Sequence, residues 1–189
     1  MRRLWPQYVL PITSQWSDIQ WLEVGSFEGR TALWTVDNLL RGDRSSITCV
    51  DVWEVWPYHD GERDFNYETT FDRNAQGIPQ IIKRKGRSRD ILPALPPRSF
   101  HGIFLDGSHE EADVLEDAQL AFSLLRSDGL LIFDDYDWTP MPKGQPFIDD
   151  YMRRINTGVR RAADTFLIAH KDDVKVICRD YQVICQRVG

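Results

Sequence analysis

The sequence predicts an α/β fold, a doubly wound and mostly parallel β-sheet with helices on both faces. Short apolar runs alternate along the chain with longer helical stretches, which is the order of βαβ units. Two β-rich runs near the end of the sequence are separated by a short polar connection, as in an antiparallel hairpin. The length of 189 residues fits one domain with a sizeable core.

The first half of the chain is predicted to contain three strands and three helices. Each strand is a run rich in apolar side chains, and Gly or Pro follows each helix. The strands are expected over residues 19–24, 47–50 and 81–85, and the helices over residues 30–40, 68–76 and 89–95. One side of the first helix is formed by Leu33, Val36, Asp37 and Leu40.

The second half adds four strands and completes a predicted sheet of seven. The strands are expected over residues 100–105, 130–133, 174–178 and 181–187, with Arg179 and Asp180 as the hairpin connection. Helices are expected over residues 110–126 and 159–170, and a short extra helix over residues 147–155. The clearest helical spacing is that of Val159, Ala162, Ala163, Phe166, Leu167 and His170.

Composition and charge exclude several classes of protein. The 29 acidic residues outnumber the 23 basic ones, so we expect no basic face for nucleic acid. No apolar run approaches the ~20 residues of a membrane helix, and no apolar segment of a secretory signal follows the N-terminal arginines. Cys49, Cys178 and Cys185 lie in apolar runs, which predicts buried, reduced thiols. We therefore expect a cytoplasmic protein that binds neither nucleic acid nor membranes.

Glycine and acidic residues end the first two strands, where parallel sheets bind ligands. Gly25 permits a tight turn, and Gly29 lets the next helix start close to a ligand. The dinucleotide pattern GxGxxG is absent because Phe27 occupies its middle position. Glu23 would repel a pyrophosphate but could accept from an ammonium group, and Asp51 could bind both hydroxyls of a ribose. These residues favour a phosphate-free nucleoside cofactor that carries an amino acid over NAD.

Three aspartates follow the fourth and fifth strands. Asp106, Asp134 and Asp135 should converge at one sheet edge, and such a cluster is electrostatically costly unless a cation neutralises it. Their oxygen ligands favour Mg²⁺, Mn²⁺ or Ca²⁺. His109 lies three residues after Asp106, where it could remove a proton from a hydroxyl. The alternative is that Asp106 and Asp134 are helix caps or strand ends and that His109 is solvated.

The segment LEVGSFEGRT at residues 22–31 is one of six segments that carry a resemblance. The others are CVD at 49–51, KGRS at 85–88, LDGSH at 105–109, GLLIFDDY at 129–136 and YQVI at 181–184. Together they resemble class I S-adenosylmethionine-dependent methyltransferases, and more narrowly the branch with macrocin- and mycinamicin-type metal-dependent sugar O-methyltransferases. The resemblance covers residues 16–187 and implies a Rossmann-like fold.

The same resemblance implies one methyltransferase domain and a role for each matching residue. The domain would span residues 1–189, with an N-terminal extension over residues 1–15 and candidate substrate loops at 52–67 and 136–158. The methionine moiety of the cofactor would contact Glu23, Gly25, Ser26, Phe27 and Gly29. Its ribose would contact Asp51, and its adenine side would contact Gly86 and Ser88. Asp106 would also belong to the cofactor-binding residues. A divalent cation, with Mg²⁺ favoured, would be held by Asp106, Asp134 and Asp135. His109 would act as the general base, and Asp106 would also belong to the catalytic set.

The reaction implied by the resemblance is methyl transfer from S-adenosylmethionine to a hydroxyl of a small-molecule or glycan-like acceptor. Two alternatives stay open. The first is an NAD(P)-dependent oxidoreductase on the same sheet, which Glu23 and Phe27 disfavour. The second is a noncatalytic cofactor-binding or scaffold protein. The identity of the acceptor and assembly into a homo-oligomer also stay open.

Seven tryptophans divide between loops and core. In the two candidate substrate loops, Trp53, Trp56, Tyr58, His59 and Trp138 could form an apolar lid over the acceptor, or they could pack the loops onto the domain. Trp5 and Trp16 are expected at the sheet edge or a subunit contact, and Trp21 and Trp34 in the core.

Overall fold

Seven strands form one sheet in the computed structural model, which describes residues 4–54, 66–138, 155 and 157–189. The strands are β1 (Gln20–Val24), β2 (Ser46–Asp51), β3 (Ile81–Lys85), β4 (Phe100–Leu105), β5 (Leu125–Phe133), β6 (Val174–Arg179) and β7 (Val183–Arg187). A π-helical segment (Trp5–Val9) runs into α1 (Leu10–Thr13), and the later helices are α2 (Arg30–Asn38), α3 (Tyr67–Ala75), α4 (Ser88–Ile91) with a 3₁₀ turn (Leu92–Ala94), α5 (Glu111–Leu124) and α6 (Gly158–Ala169).

The strand order is β3-β2-β1-β4-β5-β7-β6. Strands β1 to β5 pair in parallel, and β7 is antiparallel to both β5 and β6. This confirms the predicted Rossmann-like sheet with a C-terminal antiparallel hairpin. The order reverses between β1 and β4, because the chain builds outward to β3 and then returns to the other side of β1. Ligands bind at such a reversal, beyond the carboxyl ends of the strands.

Successive side chains along each strand point to opposite faces of the sheet, so the strands contribute to two apolar layers, one on each face. In β5, Leu131 and Phe133 enter one layer, and Leu130 and Ile132 enter the other. Helices α5 and α6 cover the first layer, and the N-terminal segment with α2 covers the second. The buried free thiols predicted for the core are confirmed at Cys49, Cys178 and Cys185.

The N-terminal segment packs on a face of the sheet, and the expectation that Trp5 lies at an edge or a subunit contact is wrong. The Trp5 ring is fully buried, with its centroid 5.7 Å from that of Trp21 and 5.1 Å from that of Phe104. Both partners are on central strands, so this ring covers the middle of the sheet. Trp21 lies in the core as predicted, and Trp34 is partly buried against Trp5.

Three element details differ from the prediction. Helix α5 ends at Leu124, and Leu125 already pairs with Phe100, so β5 begins five residues early and bends where Asp128 has a φ of 62°. Helix α2 buries Ala32, Thr35 and Leu39, whereas Asp37 is exposed. The small Ala32 and Thr35 let the helix lie close to the sheet, which a periodicity of larger side chains does not reveal. The hairpin connection spans residues 180–182.

Several predictions concern residues outside the described ranges. These are Trp56, Tyr58 and His59, most of the two candidate substrate loops, and the extra helix over residues 147–155 apart from the buried Ile155. Among the described helices, none has the length and hydropathy needed to cross a membrane.

Candidate active site

A cavity of about 520 Å³ opens beyond the carboxyl ends of the central strands. The residues of its wall that directly follow β1, β3 and β4 are Gly25, Gly86 and Asp106. Of the residues predicted to bind the cofactor, Phe27, Asp51 and Ser88 also line it. Glu23, Ser26 and Gly29 lie behind the wall, where they support the turn after β1.

The turn after β1 is pressed against the end of β4. Gly25 has a φ of +87°, and a Cβ atom there would collide with the carbonyl group of Asp106. The Asp106 amide donates to the carbonyl oxygen of Val24 at 2.8 Å, so the two strand ends are also hydrogen-bonded. Only glycine combines this backbone conformation with so close an approach. The turn after β1 and the end of β4 are therefore held together by backbone contacts.

Asp51, at the end of β2, ties two loops together. Its Oδ2 accepts from the amides of Ser26 and Phe27, both at 2.8 Å, and its Oδ1 accepts from the amide of Trp53 at 2.7 Å. Phe27 and Trp53 each have a φ of 48°, a left-handed conformation that these bonds help to hold. Because Oδ1 accepts a single bond here, Asp51 keeps acceptor capacity toward the cavity that it lines.

Glu23 is a fully buried carboxyl group one layer behind this turn. Neither of its side-chain oxygens has a partner at normal hydrogen-bond geometry among the described residues. Burial raises the pKa of Glu23 to about 7, and the negative charge of Asp51 raises it further, although the Ser26 hydroxyl and the Cys49 thiol partly offset the rise. Ionisation of this buried carboxyl group, which lies beneath the Gly25 turn, is therefore energetically unfavourable.

The acidic cluster brings together Asp106, His109 and Asp135. One possible ligand atom from each lies within 4.8 Å of the others, and His109 Nε2 lies 3.1 Å from Asp135 Oδ2. Asp134, the third predicted metal ligand, instead accepts from the Gln182 amide at 2.8 Å through Oδ1. Two carboxylates and one imidazole fit a divalent cation, with an oxygen-rich set that suits Mg²⁺ or Mn²⁺ and a nitrogen that suits softer metals.

The charge states of the three aspartates diverge. Burial raises the pKa of Asp106 well above its usual range, and the charges of Asp134 and Asp135 raise it further. Burial also raises the pKa of Asp134, although the hydrogen bond from Gln182 lowers it in part. Burial acts the same way on Asp135, but hydrogen bonds from His109 and Tyr181 outweigh it and hold this pKa below its usual value. Asp135 is therefore the ionised partner that faces His109.

His109 lies at the junction of the cluster and the cavity. It lines the cavity, and its Nδ1 is buried without a hydrogen-bond partner in the described part of the chain. The Trp138 ring packs edge-on against the imidazole, with 4.7 Å between ring centroids. The Trp53 ring packs on Phe71 and also lines the cavity, so it both anchors its loop and contributes to the wall.

Residues of the C-terminal hairpin reach the cluster, and sequence reasoning gave them no role. Tyr181 donates its hydroxyl proton to Asp135 Oδ1, and its neighbour Gln182 donates to Asp134 Oδ1. The Trp5 indole donates to Gln182 Oε1 at 2.9 Å. An indole nitrogen can only donate, so it forces the Gln182 amide nitrogen toward Asp134. The sequence predicted a terminal hairpin, but the pairing of β7 with β5, which sets Val183 opposite Phe133 and so brings residues 181 and 182 near 134 and 135, is seen only in the structure.

Comparison with known proteins gives one family match and several similar folds. A family model described as a methyltransferase domain matches residues 22–136. An uncharacterized protein of Acanthamoeba polyphaga mimivirus is 25% identical over 150 residues, which are 77% of this chain and 65% of that protein. This chain therefore spans slightly less than two thirds of that relative.

Two solved O-methyltransferases illustrate the structural similarity. The enzyme from Bacillus cereus, solved in complex with S-adenosylhomocysteine, has a TM-score of 0.66 and 17% identity over 95% of this chain and 78% of its own. TomG from Streptomyces achromogenes, involved in tomaymycin synthesis and solved with S-adenosylmethionine, has a TM-score of 0.62 and 19% identity over 90% and 73% of the two chains. At these identities the similarity establishes the fold.

The buried Glu23 predicts a stability that falls as pH rises. The pKa of Glu23 is about 7 in the folded chain and 4.5 in its ordinary state. Ionisation of Glu23 therefore lowers the free energy of unfolding. This loss is absent below pH 4.5, grows between pH 4.5 and pH 7, and is complete above pH 7. The complete loss is ~3 kcal/mol. We expect Glu23→Gln to gain stability relative to the wild type between pH 5 and pH 8, measured by urea unfolding at both pH values. Glu28→Gln, in the same turn, is the control, and an equal effect of Glu23→Gln at both pH values would contradict the assignment.

The Trp5–Gln182–Asp134 chain predicts energetic coupling between distant segments. Gln182→Met keeps the length of the side chain but leaves the indole and a carboxylate each without a buried partner, at ~1–3 kcal/mol per group. Once Gln182 is Met, Trp5→Phe has no hydrogen bond left to remove. A double-mutant cycle measured by urea unfolding should therefore show at least ~0.5 kcal/mol of coupling. Additive effects would mean that the three groups do not act as a chain.

Proposed function

The chain belongs to the methyltransferase-domain family, and we propose that it transfers the methyl group of S-adenosylmethionine to an acceptor hydroxyl. The contact between His109 and Asp135 carries this proposal. It sets an imidazole against an ionised carboxylate on the wall of the cavity. Such a pair can accept a proton and stabilise the imidazolium that results. The family match removes support from the oxidoreductase alternative.

The cavity has features that fit an adenosyl cofactor. Gly25 lines the cavity without a side chain, and Asp51 retains acceptor capacity for ribose hydroxyls. The buried acid Asp106 lies where the β1 turn meets the acidic cluster and could accept from the ammonium group. When bound, S-adenosylmethionine supplies an electrophilic methyl group on a sulfonium centre.

In this mechanism His109 removes the proton from the acceptor hydroxyl as the oxygen attacks the methyl carbon in line. Asp135 orients the imidazole through Nε2, and Tyr181 fixes Asp135 from the opposite side. Trp138 provides an apolar wall beside His109. These residues position the acceptor and keep the proton path away from solvent.

A divalent cation, with Mg²⁺ favoured, is the second component that we propose. Asp106 and Asp135 would hold it, and either His109 or Asp134 would be the third ligand. When bound, it would lower the pKa of an acceptor hydroxyl. An acceptor with two neighbouring oxygens, such as a vicinal diol or a catechol, suits this arrangement. We therefore propose a small-molecule or glycan-like acceptor, and the narrower resemblance to macrocin- and mycinamicin-type enzymes supports the glycan-like form.

Calorimetric titration with S-adenosylmethionine and with NAD, each with and without Mg²⁺, tests the cofactor assignment. We expect S-adenosylmethionine to bind and NAD to give no heat, because Glu23 and Phe27 leave no pyrophosphate-binding turn. Binding of NAD alone would overturn the proposal. Binding of neither would favour the scaffold alternative.

His109→Asn separates the roles of base and metal ligand. As a base, His109 should contribute at least tenfold to the rate of S-adenosylhomocysteine formation with a panel of catechols and diols, while Mn²⁺ affinity stays within threefold of wild type. As a ligand, it should lower Mn²⁺ affinity as well. His170→Asn, on the far end of α6, is the matched control. A rate loss below tenfold would remove His109 from the mechanism.

A further inference from the structure

Asp117 is an acid on the wall of the cavity that the mechanism does not use. It lies on α5 and is 6% exposed, although the buried side of that helix is otherwise apolar. Its exposed neighbours Asp113 and Glu116 pair with Arg89 at 3.1 and 3.6 Å. Within the described residues, no cation comes within ion-pair distance of Asp117. Its polar neighbour is the Ser88 hydroxyl at the start of α4.

The described residues offer little compensation for a charge on Asp117. Burial raises its pKa to about 6, and the charges of Asp113 and Glu116 add to the rise, whereas the Ser88 hydrogen bond and the positive charge of Arg89 offset part of it. A buried carboxyl group of this kind is costly unless donors satisfy it. The Ser88 hydroxyl supplies one donor, and a carboxylate accepts several. Because Asp117 lines the cavity, a ligand bound there can supply further donors.

The position of Asp117 in the cavity wall determines which part of a bound ligand it would contact. A Cβ atom on Gly107 would lie 3.9 Å from Asp117 Oδ2 and 3.5 Å from Val24, so the carboxylate lies beside the loop after β4. Ser88 follows β3, whose end is tied to β2 by the hydrogen bond from the Gly86 amide to the carbonyl of Asp51. Ser88 and Asp117 thus line the cavity on the β3 side of the proposed ribose contact at Asp51.

We propose that Asp117 accepts a hydrogen bond from the exocyclic amino group of the adenine base, with Ser88 holding its carboxylate in place. A 6-amino purine donates at this position, whereas a 6-oxo purine can only accept. Asp117 would therefore select the adenosyl group over its inosyl analogue. This inference rests on the proposed function, because it takes the ligand to be an adenosyl cofactor.

Calorimetric titration of the intact chain with S-adenosylhomocysteine and S-inosylhomocysteine tests the proposal. Wild-type protein should bind the adenosyl compound at least tenfold more tightly, because the 6-oxo group would face a carboxylate. In Asp117→Asn the ratio should fall to within threefold, since a side-chain amide can donate to the 6-oxo group. Glu116→Gln removes an adjacent charge from the same helix and should keep the wild-type ratio.

The outcomes separate this inference from the proposed function. Equal binding of the two compounds by wild-type protein would overturn the role of Asp117 while leaving an adenosyl-binding methyltransferase, and this result does not depend on whether a variant folds. An unchanged ratio in a folded Asp117→Asn, checked by circular dichroism, would overturn it as well. Binding of neither compound to wild-type protein would reject the proposed function and this inference together.

Discussion

The close approach of Gly25 to the carbonyl of Asp106 is the constraint on which the rest of the site depends. It joins the ends of β1 and β4, the two strands between which the sheet order reverses. The turn after β1 cannot move away from the end of β4 without losing the hydrogen bond between Asp106 and Val24. The two parts of the cavity wall that follow β1 and β4 are thus held together by backbone contacts.

That constraint brings several acidic side chains together, and these side chains receive different numbers of hydrogen-bond donors. Asp51 receives three backbone amides, Asp134 receives the Gln182 amide, and Asp135 receives His109 and Tyr181. Among the described residues, neither Glu23 nor Asp106 receives so many donors, and both have raised pKa values. Of these two acids, Asp106 borders the cavity, whereas Glu23 lies behind its wall.

The sequence was sufficient to predict the sheet and to place the candidate site residues at one edge of it. Apolar runs and the ends of strands are local features, and parallel pairing brings Asp51, Asp106 and Asp135 to one edge whatever their rotamers. Side-chain directions were not accessible in the same way. Asp134 faces Gln182, and His109 takes its place beside Asp135, because of rotamers that depend on neighbours far away in sequence.

The same limit explains the misplaced Trp5 and the overlooked Asp117. The position of Trp5 depends on contacts with Trp21 and Phe104, which no local pattern reports. Asp117 lies within a helix whose neighbouring acids are exposed and ion-paired, so its burial is visible only once α5 is packed on the sheet. Local periodicity predicts helices and strands, whereas the surroundings of single residues such as Trp5 and Asp117 follow from the packing of distant segments.

The hydrogen bond between Trp5 and Gln182 has a consequence for the order in which the molecule forms. Its partners are 177 residues apart, so closing this contact early would carry a large entropic cost. The strands can pair and the cavity can take shape before that contact exists. Asp134 then acquires its final hydrogen bond only when both distant segments have docked. The hydrogen bonding of Asp134 is thereby tied to the docking of the hairpin on the sheet, and it is not achieved by pairing of the parallel strands alone.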